Sequence, residues 1–195
     1  MIWDTSAPSS YLWGMVSELS TTGAIPSSVV AAAASGDAVA FARIVAAHHD
    51  DMARVCRVVC SDVELAQDAT QAAWPIAWRR MHTLRDPDKL RPWLVTIAVN
   101  EARKLVRRHR LDRVVELEVA DVGSDRHDPA RRVADTDLLE AIKRLAPEDR
   151  ALLAMRYVAG FDASEIAPAL GLSPSGVRSR LARLVERLRT EVGDD

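Results

Sequence analysis

The sequence predicts an all-α fold, with two small helical domains joined by an acidic linker and a helix-turn-helix in the second. Three observations lead there. Alanine, leucine, arginine and glutamate, all good helix formers, dominate the chain. Aromatic residues make up only 5%, and strand formers never gather into alternating runs. Apolar residues instead recur at three- and four-residue spacing, in segments punctuated by Asp, Ser, Pro and Gly. With 195 residues and 48% hydrophobic content, the chain can build one ordinary domain or two small ones around a packed core.

Residues 1–28 have a composition of their own, rich in Ser and Thr, with Pro8, Pro26 and scattered Trp3, Tyr11 and Trp13. This reads as a disordered leader or a short docking segment. Helical signals fill 29–111. Asp37 caps a helix with Phe41, Ile44 and Val45 on one face. Asp50 or Asp51 starts the next, with Met52, Val55, Val58 and Val59 inward. Asp62 opens a third, "DVELAQDATQAAWPIAWRRM", which Pro75 interrupts with a kink. "HTLRDPDKLRP" is a polar loop. In "PWLVTIAVNEARKLVRRHR", Trp93, Ile97, Asn100 and Lys104 share one face, while Leu94, Ala98 and Leu105 mark an apolar one.

Periodicity lapses from Leu111, and 112–127 reads as a linker. Asp128 then caps a helix whose first position is Pro129, opening a second domain over 128–192. Ala134, Leu138, Ala141, Ile142 and Leu145 line one face, and Ala146-Pro147 ends it. "PEDRALLAMRYVAG" is the next helix, closed by Gly160. Asp162 and Glu165 form a capping box for a short helix, and Gly171 frees the backbone for a sharp turn. Ser173 caps the last helix, with Pro174 at its first position. Val177, Leu181, Leu184, Val185 and Leu188 form its apolar stripe, flanked by Arg178, Arg180, Arg183 and Arg187. Two short helices set at an angle, the second apolar on one side and basic beside it, make a helix-turn-helix. Its arginines reach phosphates or guanine edges. Pro168, inside the first of the two, has no functional account.

The net charge of −2 hides a pattern. Asn100–Arg113 carries six basic residues against two acidic, and Gly176–Arg189 carries five arginines against one acid. Glu116, Glu118, Asp121, Asp125 and Asp128 lie between them. Two basic patches around an acidic connector suit two contacts with an anionic polymer. Other classes are excluded. Cys56 and Cys60 share one helix face, which implies two small buried thiols in a reducing cytoplasm rather than a disulfide framework. His48, His49, Asp50 and Asp51 are neighbours on a helix and point apart, so no metal site is expected. Phosphate loop, nucleophile elbow and metal cluster are all missing, so neither an enzyme nor a cofactor is expected. No run approaches the roughly 20 apolar residues of a membrane span, and no secretory signal opens the chain.

"LAPEDRALLAMRYVAGFDASEIAPALGLSPSGVRSRLARLVERLR" resembles the C-terminal DNA-binding domain of the extracytoplasmic-function (ECF) group of bacterial RNA polymerase sigma factors. "GDAVAFARIV", "DATQAAWPIAW" and "LRPWLVTIAVNEARKLVRRHR" resemble its N-terminal domain, in the right order, so the likeness covers about 35–190. The resemblance implies a cytoplasmic protein that binds core RNA polymerase, directs it to promoter DNA and helps to open the duplex. It implies that Ser173, Ser175, Arg178, Ser179, Arg180 and Arg183 read the −35 element. Asn100, Arg103, Lys104, Arg107 and Arg108 would track a single-stranded −10 element, with a base pocket at His82 to Arg91. Asp68 and Gln71 match polar positions of the helix that docks on polymerase, the acidic linker would lie in the RNA-exit path, and a dedicated anti-sigma protein is a family habit. Lys104 replaces an acid of the family pattern, and Pro75 falls inside the docking helix. Two other readings stay open: a stand-alone helix-turn-helix regulator, and an interaction protein that sequesters polymerase or a sigma factor.

Overall fold

The computed structural model describes residues 25–117 and 133–193. Every element of regular structure among them is helical. α1 spans Ser27–Ala34, α2 Ala38–Cys60, α3 Val63–Arg80 and α4 Leu90–Leu117. The second set comprises α5 Val133–Arg144, α6 Pro147–Leu153, α7 Ala163–Leu170 and α8 Pro174–Gly193. Two single 3₁₀ turns, Met81–Thr83 and Pro87–Lys89, fill the loop before α4. A π turn, Ala154–Val158, extends α6.

The caps are local and follow the sequence. The Asp37 carboxylate accepts from Val39 N at 2.8 Å and Ala40 N at 3.1 Å, starting α2. Asp62 accepts from Leu65 N at 2.8 Å and starts α3. α1 begins at Ser27, within the last two positions of the expected leader, and residues 1–24 of that leader lie outside the described residues.

Other boundaries differ from expectation. No helix starts at Asp50 or Asp51: α2 runs unbroken through both. Asp51 is no cap. It is buried and ion-paired to Arg54 and Arg91, so its charge is answered by side chains rather than by free backbone amides. α3 likewise continues past Pro75 without interruption, whereas Pro168 lies inside α7 as the sequence places it. α4 reaches Leu117, six residues into the expected linker. The rest of the linker and the Asp128–Pro129 helix start lie outside the described residues.

The apolar faces of both helical sets meet in one continuous cluster. Ile44, Met52 and Val55 of α2 are fully buried, as are Leu94 and Val99 of α4 and Leu152 and Ile166 of the second set. Each such side chain contributes about 1.5–3 kcal/mol. Ala66, Ala69, Ala73 and Ala77 line the buried face of α3, letting it lie close on its neighbours. Phe41 packs edge-on against Trp74 and Trp78, with centroids 5.9 and 4.8 Å away. Cys56 and Cys60 are buried free thiols, and burial raises them to about 11 and about 12.

Candidate nucleic-acid interface

The helix-turn-helix is built as its residues dictate. Asp162 accepts from Ser164 N and Glu165 N at 2.7 and 2.9 Å, and Glu165 returns a carboxylate to Asp162 N at 3.0 Å. Hydrogen bonds from those amides hold the Asp162 carboxyl below its usual range. Gly171 takes the left-handed conformation at φ 66° and ends α7. Ser173 Oγ accepts from Gly176 N at 3.1 Å at the start of α8. Val177, Leu184 and Leu188 then seat α8 on the core.

The six residues expected to read duplex DNA fall on or beside the first three turns of α8. Ser173, Ser175, Arg178, Ser179 and Arg183 are exposed, and Arg180 is half-buried. Ser173 and Ser175 hydroxyls lie 3.0 Å apart. Arg178 has no ion-pair or hydrogen-bond partner among the described residues. Arg183 Nε donates to Ser179 O at 3.3 Å. Arg180 is held: its Nε lies 2.8 Å from Asp149 Oδ1, and Arg187 approaches the other oxygen of the same carboxylate at 3.6 Å.

The second basic face lies on α4. Asn100, Lys104, Arg107 and Arg108 are exposed there, and Lys104 pairs with Glu101 at 3.5 Å. Arg103 and Arg107 both engage Glu148 of α6, Arg103 at 3.5 Å. Burial pushes the Glu148 carboxyl up, but the hydrogen bond and charge of Arg107, with the charge of Arg103, hold it below its ordinary value. In the loop expected as a base pocket, His82 is exposed while Arg91 is committed elsewhere. Its Nε and Nη2 reach Asp51 at 2.7 and 3.1 Å, and its Nη1 donates to Ala159 O at 2.7 Å. Asp68 and Gln71 are exposed together on α3.

The two basic faces are thus tied through adjacent acids, Glu148 and Asp149, in the first turn of α6. Sequence reasoning missed both, and missed Arg91. An acid pair after Pro147 signals a helix start and nothing about the distant arginines it answers. Among the described residues, no group of three or more His, Cys, Asp or Glu is placed to hold a metal, and no helix is long and apolar enough to cross a membrane.

Comparison with known proteins places this geometry. Residues 44–111 match the Sigma-70 region 2 family and residues 135–188 the Sigma-70, region 4 family. The chain is 35% identical over 171 residues to the RNA polymerase sigma factor NccH of Alcaligenes xylosoxydans xylosoxydans, covering 80% of this chain and 88% of NccH. It is 30% identical over 165 residues to the ECF RNA polymerase sigma factor SigM of Mycobacterium tuberculosis, covering 85% and 83%. The probable RNA polymerase sigma factor RfaY of Xanthomonas campestris is also 30% identical, over 168 residues, but this chain covers only 42% of its length. Among solved structures, CnrH in complex with the cytosolic domain of CnrY superposes with TM-score 0.63 at 26% identity, covering 86% of this chain and 96% of CnrH. Two helical sets, each with an exposed basic face, each matched to a sigma-70 region and in the family's order, leave one conclusion: the chain belongs to the ECF RNA polymerase sigma factors.

Proposed function

We propose that this chain brings core RNA polymerase to promoters by dividing the reading of DNA between its two helical sets. The domain division follows the sequence: 29–111 takes polymerase and the −10 element, 128–192 takes the −35 duplex, and 112–127 links them. Ser173, Ser175, Arg178, Ser179, Arg180 and Arg183 enter the major groove from the start of α8. Asn100, Arg103, Lys104, Arg107 and Arg108 follow the unpaired −10 strand along α4, with bases taken up near His82. Asp68 and Gln71 dock on polymerase, and their joint exposure on α3 supports this. A polypeptide inhibitor of the anti-sigma kind is the expected regulator, supported by the likeness to CnrH, solved with the cytosolic domain of CnrY.

The observation that carries the reading is the placement of separate basic faces on α4 and α8, the second on a capped helix-turn-helix. The near-neutral chain then binds promoters weakly alone, and polymerase supplies the missing affinity. Adding the purified protein to core polymerase and a promoter library tests this. Initiation at a defined subset of promoters is the expected result. Specific duplex binding without polymerase would favour a stand-alone regulator. Polymerase capture without initiation would favour a sequestering protein.

A further inference from the structure

A cavity of about 250 Å³ opens at the seam between the two helical sets. Its walls include Cys60 and Ser61 at the end of α2, Asp62, His109 and Arg110 on α4, and Arg150 from α6. The volume lies below the roughly 300–1,000 Å³ of sites that take drug-sized ligands, which limits an occupant to a small molecule or ion. The charge of the walls narrows it further. Arg150 is only 3% exposed; it spends Nη1 on Lys143 O at 3.0 Å, its Nε is sealed in without a partner, and its Nη2 makes no hydrogen bond among the described residues. A buried guanidinium donor without an acceptor is costly and calls for one.

Arg110 adds a second guanidinium. Among the described residues, no carboxylate lies within ion-pair distance of Arg110 or His109. Asp62, the acid on the wall, already spends one oxygen capping α3. Burial lowers the Arg150 pKa, and the nearby charge of Arg110 lowers it further, a like-charge crowding that a bound anion relieves. Two guanidiniums and an imidazole around a small cavity are suited to a tetrahedral oxyanion, and the Ser61 hydroxyl, which donates to Val58 O at a long 3.5 Å, can turn to it.

We propose that this cavity binds a small, freely diffusing phosphate-type anion, held by Arg150 from one helical set and by Arg110, His109 and Ser61 from the other. The bound anion bridges α6 to the end of α2 and to the C-terminal half of α4. It therefore strengthens the arrangement in which Glu148 occupies Arg103 and Arg107. The site stands independently of the polymerase reading, and only its effect on promoter access rests on that reading.

The test uses the full chain without polymerase, titrated with inorganic phosphate and with pyrophosphate while sodium chloride holds ionic strength constant. Calorimetry is expected to show saturable one-to-one binding, and the melting temperature is expected to climb with the logarithm of ligand concentration. Arg110→Gln, at an exposed position, weakens binding at least tenfold with the helical circular dichroism unchanged. Ser61→Ala weakens it less. The proposal is overturned if the melting shift follows ionic strength alone, or if Arg110→Gln binds phosphate as the parent does. Displacement of the bound phosphate by short duplex DNA would assign the cavity to the nucleic-acid backbone and overturn the small-ligand assignment.

Discussion

Arg91 grips Asp51 at two points, Nε to Oδ2 at 2.7 Å and Nη2 to Oδ1 at 3.1 Å, across forty residues of chain. The carboxylate is 3% exposed, and the same guanidinium lies 4.9 Å from the centroid of the Phe161 ring. This pair fastens α2 and α4 to the segment that precedes the helix-turn-helix. Asp51→Ala takes the shared carboxylate from Arg91 and Arg54 and leaves Arg91 only Ala159 O. Removing one partner of a fully buried pair costs about 3–5 kcal/mol. With Arg91 one-third exposed, the expected loss is about 2–3 kcal/mol, read from urea denaturation. A loss under about 0.5 kcal/mol would show that the pair does not fasten the seam.

Under the proposed function, Glu148 competes with the −10 strand for Arg103 and Arg107. Glu148→Gln is expected to tighten binding of a single-stranded −10 oligonucleotide about two- to fivefold, since a partly exposed pair is worth about 1 kcal/mol or less. It should also steepen the salt dependence. The carboxyl is held below its ordinary 4.5 in the fold, so its stabilisation is complete above that value and disappears as pH falls through the lower folded value. The stability difference between parent and Glu148→Gln should stay level from about pH 7 to about pH 5 and shrink below pH 4.5. A difference that grows on acidification contradicts the assignment.

Arg178 and Arg180 separate recognition from support. Arg178 has no partner among the described residues, so Arg178→Ala should leave the melting temperature unchanged. It should reduce −35 discrimination by about 1–3 kcal/mol, more than Arg107→Ala does. Arg180 is tied to Asp149, so Arg180→Ala should lose about 0.5–1 kcal/mol of stability as well. Competition binding with substituted −35 duplexes, alongside thermal melts, resolves the two. Unchanged promoter selection in Arg178→Ala would mean that α8 enters the groove in another orientation.

At Gly171 the backbone itself sets the angle between α7 and α8. A Cβ there meets nothing within 4 Å, so the whole cost of a side chain is its strain at φ 66°. Gly171→Val should destabilise by about 1–2 kcal/mol or more, and Gly171→Asn by less, because asparagine visits the left-handed region readily. Denaturation of the three proteins side by side checks the order. Equal losses for Val and Asn would place the cost elsewhere.

What the sequence made legible was what neighbours decide. Asp37, Asp62, Asp162 with Glu165, and Ser173 answer amides within three residues, so cap chemistry alone located them. The apolar stripe of α8 and the two basic faces were equally plain. Asp51 misled because an acid that caps and an acid that pairs look alike until the partner is known, and Arg91 is forty positions away. The ties from Glu148 to Arg103 and Arg107 were invisible for the same reason: they join residues more than forty positions apart. Length misled at α4, where Leu111, Val114 and Val115 keep a helical spacing among charged neighbours and the helix continues to Leu117.

Glu148 and Asp149 are consecutive, yet one restrains arginines of α4 and the other those of α8. A single displacement of the short helix that carries them would slacken both restraints in the same stroke. One turn of helix thus anchors ties to both basic faces, as a single cleat holds two ropes.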